Sequence, residues 1–221
     1  MTSFSAHAIQ ATGIEKRLGK IEILKGVDFS ISYGEIVSIV GANGSGKSLF
    51  LRILAGLVYP DKGNITIGGK PLRPGLIGPL ADVGLLIETP GFLPYLSGLD
   101  NLKLLAMLRR RIKEQDIVDT LRAVGLDPAD VRPVRTYSLG MRQRLGIAQA
   151  LMEGQKILLL DEPTNALDPE FHDKFLEMLT ELRSNGVAIV MTSHNLQEVE
   201  RLADKVLLMK NGVLTEWSIT T

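Results

Sequence analysis

Residues 41–48 read Gly41-Ala42-Asn43-Gly44-Ser45-Gly46-Lys47-Ser48, a full match to the pattern G-x-x-x-x-G-K-[ST]. The five residues before them, Ile36-Val37-Ser38-Ile39-Val40, are almost all apolar, which predicts a strand covered on both faces. The apolar spacing after Lys47 predicts a helix. A glycine-rich turn between a buried strand and a helix is the context in which this pattern forms a phosphate-binding loop. The segment therefore predicts an α/β protein with a P-loop NTPase core.

The residue types in this loop match the chemistry of nucleotide phosphates. Glycines let the backbone curl so that several N–H groups point at phosphate oxygens, and the following helix adds its positive N-terminal end. We expect Lys47 to reach the β- and γ-phosphates and the Ser48 hydroxyl to bind Mg²⁺. The predicted phosphate-binding residues are Gly41, Asn43, Gly44, Ser45, Gly46, Lys47, Ser48 and Leu49.

A second element of the site is expected at the end of another buried strand, which reads Lys156-Ile157-Leu158-Leu159-Leu160-Asp161-Glu162. Asp161 is suited to bind Mg²⁺, and Glu162 is a candidate to polarise the attacking water. The alternative is a strand that ends in a solvated acidic turn, which the phosphate loop makes the weaker interpretation. Small-molecule kinases, GTPases, helicases and transport ATPases share both elements. The sequence has no Asn-Lys-x-Asp segment, which argues against a GTPase.

Composition excludes several other classes of protein. The 221 residues include 25 Lys or Arg and 25 Asp or Glu, so no basic excess indicates a nucleic-acid partner. The chain has no Cys and only three His, which argues against a structural zinc site. No stretch approaches the roughly 18 apolar residues that span a bilayer, and the first 12 residues do not resemble a secretory signal. We therefore expect a soluble intracellular chain.

Hydrophobic periodicity predicts an α/β core interrupted by a mostly helical segment near residues 90–152. Ser97 with Asp100, and Asp168 with Pro169, are expected to begin helices. Asn211-Gly212 predicts a hairpin turn. The predicted strands cover 27–32, 36–40, 65–67, 83–87, 157–160, 187–192 and 205–209, and the predicted helices cover 48–57, 102–111, 170–183 and 196–202.

The deciding segment for a family is Tyr137-Ser138-Leu139-Gly140-Met141-Arg142-Gln143-Arg144-Leu145-Gly146-Ile147-Ala148. It resembles the signature of ATP-binding cassette (ABC) transporter ATPases, L-S-G-G-Q-x-Q-R, and four residues match: Ser138, Gly140, Gln143 and Arg144. The run from Asp161 to Asp168 resembles the family's Walker B strand and D-loop, and His194 resembles its switch histidine. The resemblance covers essentially the whole chain, with the motifs in the family's order.

The resemblance implies a single ABC ATPase domain over residues 1–221. Its fold would be a mixed sheet with flanking helices, an N-terminal antiparallel β part and a helical insertion subdomain at about 90–152. Two such domains form a head-to-tail sandwich, so that ATP bound by one chain contacts Ser138, Gly140 and Met141 of the other. Glu162 and His194 are the implied catalytic residues, Asp168 the D-loop residue, and Ser48 and Asp161 the Mg²⁺ ligands.

The sequence departs from the family pattern at several positions. Leu18 stands where an aromatic residue commonly stacks on adenine, which predicts use of GTP beside ATP. Leu139 and Met141 replace Gly and Gln of the signature. Glu88 replaces the usual Gln and, with its proline-rich surroundings, resembles cassettes of bacterial exporters of lantibiotics and bacitracin. We expect Glu88 to bind metal and to couple hydrolysis to the membrane partner.

The resemblance also implies the partners. A second cassette, either a copy or a homologue, and a separate integral membrane subunit are expected, which would hold the chain at the cytoplasmic face of the membrane. The segment 90–107 is the candidate docking surface, with core of the insertion as the alternative. Because few residues follow position 205, we do not expect the regulatory C-terminal domain of some importers, and this expectation favours export. A soluble non-transport ABC ATPase and a small-molecule kinase stay open as alternatives, and His172 is expected to be solvated.

Overall fold

The computed structural model describes residues 7–72, 82–87 and 91–217. The strands are β1 (His7–Leu18), β2 (Ile21–Ser32), β3 (Ile36–Val40), β4 (Lys62–Ile67), β5 (Lys70–Pro71), β6 (Val83–Leu86), β7 (Ile157–Asp161), β8 (Ala188–Thr192), β9 (Lys205–Lys210) and β10 (Val213–Glu216). The helices are α1 (Lys47–Leu54), α2 (Gly98–Arg109), α3 (Glu114–Ala123), α4 (Leu139–Leu151), α5 (Pro169–Ser184) and α6 (Leu196–Leu202), with a short 3-10 helix at Val134–Thr136.

A four-stranded antiparallel sheet, in the order β2-β1-β4-β5, forms the N-terminal part of the fold. This agrees with the antiparallel part expected from the resemblance. The sequence analysis missed β1, because a bulge interrupts its alternation: the register with β2 shifts between Ala11 and Ile14. Gly13 lies at this shift with a φ of 62°, and its N–H donates to Asp28 Oδ1 at 2.7 Å.

The second sheet positions the residues of the candidate site. Its strand order is β10-β9-β3-β8-β7-β6, with all neighbours parallel except the β9–β10 hairpin that Asn211-Gly212 predicted. Every residue of β3 and of β8 is buried, as expected for parallel strands covered on both faces. The carboxyl ends of β3, β7 and β8 meet at one edge, where the phosphate loop, Glu162 and His194 follow.

Apolar layers cover both faces of the six-stranded sheet. On one face α1 packs with the antiparallel sheet, and Phe50 of α1 meets Phe29 of β2 edge to face, with ring centroids 5.5 Å apart. On the other face α2 to α5 form a second core that includes Phe175. The described part of residues 91–152 contains helices and no strand, whereas the division into a core and an insertion subdomain stays a prediction.

Two helices differ from their predicted bounds by more than one residue. The helix α1 ends at Leu54, because Gly56 adopts a left-handed conformation with a φ of 66°. The helix α2 begins at Gly98, directly after Ser97, whose side chain accepts the N–H of Asp100 at 3.1 Å. Ser97 therefore caps the helix as predicted, although the helix starts four residues before position 102. No helix in the described ranges is long and apolar enough to cross a membrane.

One buried side chain joins α2 to the start of α4. The Tyr137 hydroxyl accepts the N–H of Gly98, the first residue of α2, at 3.2 Å. A Cβ on Gly98 would lie 2.9 Å from this hydroxyl, so glycine permits the contact. Burial raises the pKa of the Tyr137 phenol. Since Ser138 follows Tyr137 directly, the beginning of α4 is tied to the beginning of α2.

Candidate nucleotide-binding and hydrolysis site

The phosphate loop joins β3 to α1 in the predicted way. Gly41 passes so close to β9 that a Cβ there would lie 2.3 Å from the Met209 carbonyl oxygen. Gly46 caps α1 with a φ of 111°, a conformation that favours glycine. These constraints explain the two glycines of the pattern that flank the loop.

Lys47 begins α1 directly after the loop and is only 5% exposed. Its Nζ donates to the carbonyl oxygens of Gly41 at 2.8 Å and Ala42 at 3.2 Å. Ser45 Oγ is buried and has no hydrogen-bond partner among the described residues. A buried ammonium, an unpaired hydroxyl and the N-terminus of α1 fit an anionic ligand such as a triphosphate. Ser48 and Leu49 occupy the first turn of α1, and Asn43 and Gly44 are exposed in the loop.

Asp161, the last residue of β7, is held by the neighbouring strand. The Thr192 hydroxyl donates to Asp161 Oδ1 at 2.6 Å and accepts the N–H of Glu162 at 2.9 Å. Asp161 and Thr192 are partners in the parallel ladder between β7 and β8. The sequence analysis missed Thr192, although a polar residue that ends an apolar strand two positions before His194 was a usable signal. Asp161 ends β7, against which α1 packs, and α1 carries the Ser48 hydroxyl in its first turn. A carboxylate and a hydroxyl are donors that suit Mg²⁺.

Both oxygens of the Glu162 carboxylate have partners. His194 Nε2 lies 2.6 Å from Oε1, and the side-chain amide of Asn165 donates to Oε2 at 2.5 Å. Glu162 itself has a φ of 47°, in the left-handed region, and its carbonyl accepts the N–H of Asn165 at 3.2 Å. The structure therefore brings together the two residues expected to be catalytic. It adds Asn165, which the sequence analysis did not single out.

The signature residues stand at the start of α4. Ser138 is the N-cap, and its hydroxyl accepts the N–H of Met141 at 3.1 Å. A Cβ on Gly140 would lie 2.9 Å from the carbonyl oxygen of Ala166, so this glycine permits close packing on the segment 164–168. Ser138 is exposed, while Gly140 and Met141 are half-buried. The side chain of Gln143 donates to the carbonyl of Pro163 at 2.9 Å and joins the helix to the same segment.

Asp168 ends this segment and caps α5, as its sequence predicted. Its Oδ1 accepts the N–H of Phe171 at 3.0 Å, and its Oδ2 pairs with the Arg144 guanidinium. The Phe171 N–H and the Arg144 guanidinium hold the pKa of the Asp168 carboxyl below its usual range. Arg144 also lies over the Phe171 ring, 4.3 Å from its centroid. Both carboxylate oxygens are thus used within the chain.

The remaining predicted positions have different outcomes. Glu88 lies outside the described residues, as does Pro90. Leu18 is 55% exposed at the end of β1, opposite Ile21 in the register. The expectation of a solvated His172 is wrong: its side chain is 25% exposed, and Nε2 lies 3.7 Å from Glu198 Oε2.

Comparison with known proteins gives the family. The sequence pattern of the ABC transporter family matches residues 24–165, more than half of the chain. The chain is a member of the ABC transporter ATP-binding family. The matched range contains the phosphate loop, the signature helix and Glu162, so the family and the P-loop fold predicted from the sequence are confirmed.

The chain is similar to ATP-binding proteins of ABC transporters over most of its own length. The uncharacterized ABC transporter ATP-binding protein YdbJ of Bacillus subtilis is 41% identical over 90% of this chain, which spans 65% of that longer protein. The lantibiotic transport ATP-binding protein SrtF of Streptococcus pyogenes is 39% identical over 92% of this chain and 87% of its own length. A dimeric post-hydrolysis structure of the cassette MJ0796, bound to ADP and Pi, superposes with a TM-score of 0.85 at 25% identity, covering 96% of this chain and 99% of that one.

The chain is accordingly an ABC ATPase, an ATP-binding and ATP-hydrolysing subunit. This class accounts for the motifs together, since a small-molecule kinase has no use for the signature helix. Within the cassette, Glu162, Thr164, Asn165, His172, His194 and Glu198 are among the residues that line a cavity of about 360 Å³. The cavity extends from the Glu162–His194 pair toward Glu198 on α6.

Proposed function

We propose that this cassette energises an ABC exporter by closing head to tail on ATP with a second cassette and reopening after hydrolysis. The observation that carries the proposal is the Glu162 carboxylate, which His194 and Asn165 hold by both oxygens at the edge of the sheet where the phosphate loop ends. A carboxylate held in this way has the orientation that a general base requires.

In the proposed reaction, the loop amides and Lys47 bind the β- and γ-phosphates of ATP. Ser48, Asp161 and Glu88 are the proposed ligands of Mg²⁺, which would neutralise part of the charge of the phosphates when bound. Glu162 accepts a proton from water as the water oxygen forms a bond to the γ-phosphorus and the bond to the β–γ bridging oxygen breaks. His194 keeps Glu162 oriented and contacts the γ-phosphate. The products are ADP and inorganic phosphate.

The second cassette would complete the site. Ser138, Gly140 and Met141 lie at the N-terminus of α4, a favourable place for a γ-phosphate bound by the facing chain. Ser138 is exposed, as is 58% of Leu139, so this surface is available to a partner. The dimeric form of MJ0796 supports the same arrangement here, as a homodimer or with a homologous cassette.

The membrane subunit would dock on α2. This helix is apolar on two sides: it buries Leu102 and Ala106 in the core yet exposes Leu104, Met107 and Leu108 by 43%, 66% and 81%. Exposed apolar side chains spaced three and four residues apart on one helix form a surface that a partner can cover.

A cavity of about 360 Å³ beside α2 adds depth to this surface. It lies between β6, α2 and α4, and Leu105, Leu108 and Met152 contribute apolar lining. The Arg109–Glu153 ion pair, at 2.8 Å, adds polar groups at the same place. A short helix of a membrane subunit would fit such a cleft, and part of the segment 90–107 would contact it.

Export and location follow from the same proposal. The similarity to SrtF, together with Glu88, supports export of a peptide antibiotic or a related amphipathic molecule. The chain would then be a peripheral protein at the cytoplasmic face of the membrane, attached through the membrane subunit. Glu88→Gln tests the coupling role: an unchanged stimulation of ATPase by the membrane subunit would exclude it.

Affinity purification from gently solubilised membranes of the host tests the partner. The tagged chain should recover a multi-spanning protein, and Leu108→Glu should lose it, because a buried charge at the interface is costly. Val131→Glu is the matched control, since Val131 is 87% exposed and does not line the cleft. Recovery of only soluble chains or nucleic acid in repeated preparations would favour a non-transport ABC ATPase instead.

A further inference from the structure

Glu198 is a buried acid behind the catalytic pair. It lies on α6, is 3% exposed, and its Oε2 accepts hydrogen bonds from two hydroxyls: Thr164 at 3.0 Å and Ser193 at 3.4 Å. The other oxygen, Oε1, is buried without a hydrogen-bond partner among the described residues. A buried carboxyl is costly, so these contacts must offset a substantial desolvation penalty.

The two hydroxyl donors immediately precede the two residues that hold Glu162. Asn165, which follows Thr164, donates to Glu162 Oε2, and His194, which follows Ser193, lies against Glu162 Oε1. Each of two separate segments, 164–165 and 193–194, therefore makes a side-chain contact with Glu198 and another with the Glu162 carboxylate. The buried acid and the proposed base are joined by both segments at once.

We infer that Glu198 is a positioning residue for hydrolysis: by fixing Thr164 and Ser193 on one oxygen, it sets the places from which Asn165 and His194 orient the Glu162 carboxylate. The inference rests on the proposed role of Glu162 as the base. A displacement of about 1 Å in a reacting group costs as much as roughly 100-fold in rate, so a residue that never touches ATP controls turnover through this geometry.

The surroundings of Glu198 support this role. Burial raises the pKa of its carboxyl, against the opposing effects of Thr164, His172 and Ser193. The cavity beside Glu162 and His194, of about 360 Å³, is also lined by Glu198 and by both connecting segments. These segments therefore have space next to them in which to move. Without Glu198 Oε2 as their shared acceptor, segments 164–165 and 193–194 would lose the hydrogen bonds that hold both of them beside this cavity.

Steady-state ATPase kinetics of full-length variants test the inference. Glu198→Ala should lower kcat by about 10- to 100-fold and leave KM for ATP unchanged, because the loss concerns the chemical step. Glu198→Gln should restore most of the kcat, since its amide oxygen still accepts both hydroxyls. Glu200→Ala, an exposed position on the same helix, is the matched control and should have no effect. A rise in KM that accounts for the loss, or no rescue by glutamine, would overturn the inference.

A double-mutant cycle separates this inference from the function on which it rests. In a Glu162→Gln background, Glu198→Ala should lower the residual rate no further, because its effect passes through Glu162. An equal further loss would show that Glu198 acts elsewhere. Full activity of Glu162→Gln would refute the proposed base itself, whereas an inactive Glu162→Gln with a fully active Glu198→Ala would refute only the positioning role. If Glu198→Ala does not fold, Thr164→Val and Ser193→Ala, which remove the donors singly, replace it in the same cycle.

Discussion

The hydroxyl of Thr192 on β8 donates a 2.6 Å hydrogen bond to the Asp161 carboxylate on β7. The same hydroxyl accepts the N–H of Glu162, so one fully buried threonine fixes both the proposed metal ligand and the start of the turn that carries the base. The two strands are in register at this pair. The acidic edge of the site is therefore set by a residue that belongs to neither of the sequence motifs around it.

Thr192→Val should weaken the site while keeping the shape of the side chain. The substitution leaves Asp161 and the Glu162 N–H each without a partner, which costs about 1–3 kcal/mol of folding free energy. We expect half-maximal ATPase to require more Mg²⁺, which a Mg²⁺ titration measures beside urea unfolding. Thr215→Val, exposed on β10, is the control. An unchanged Mg²⁺ midpoint would contradict this account of Asp161.

Glu162→Gln should stop turnover and trap the closed pair. Removal of a general base lowers the rate by about 10²- to 10⁴-fold, while the amide still accepts a contact from His194. With Mg²⁺ and ATP, light scattering should give twice the monomer mass. Glu170→Gln, exposed in the first turn of α5, should remain active and should not be trapped. A purely monomeric Glu162→Gln would count against ATP-driven closure.

With Leu18, the site that binds the nucleobase should accept guanine as well as adenine. It is exposed at the end of β1 and lacks the ring that stacks on adenine in related cassettes, so we expect measurable GTP hydrolysis beside ATP hydrolysis. Leu18→Tyr should tighten ATP binding by about 2- to 10-fold, the range of an aromatic stacking contact. Competition binding and hydrolysis assays measure both effects. Strict preference of the unmodified chain for ATP would show that base recognition does not depend on this position.

Glu198 should make folding stability depend on pH. Because burial raises the pKa of its carboxyl in the folded state, the unfolded chain loses this proton first as pH increases. The contribution of Glu198 to stability is thus fully present below the ordinary glutamate range, about pH 4–5, and is lost as pH rises through the raised value. In urea unfolding from pH 4 to 8, the free energy of unfolding of the unmodified chain should fall relative to that of Glu198→Gln. Parallel curves for the two proteins would contradict the raised pKa.

The sequence was sufficient to predict the phosphate loop, the acidic strand end and the signature, because their residue types depend on local backbone geometry. Ser97 and Asp168, for example, cap the helices that their spacing predicted. The long strand β1 was not predicted, because the bulge at Gly13 interrupts its alternation of apolar and polar residues. The roles of Thr192 and Glu198 were not predicted for another reason. Their partners Asp161 and Thr164 lie 31 and 34 residues away in sequence, and only the folded sheet edge brings them together.

The contact between Tyr137 and Gly98 has a consequence for how two cassettes share work. In the proposed sandwich, α2 faces the membrane subunit of its own side, whereas Ser138 faces the nucleotide held by the opposite chain. Because one buried phenol joins these two places, mechanical load on one half of the transporter would be transmitted to the ATP of the other half.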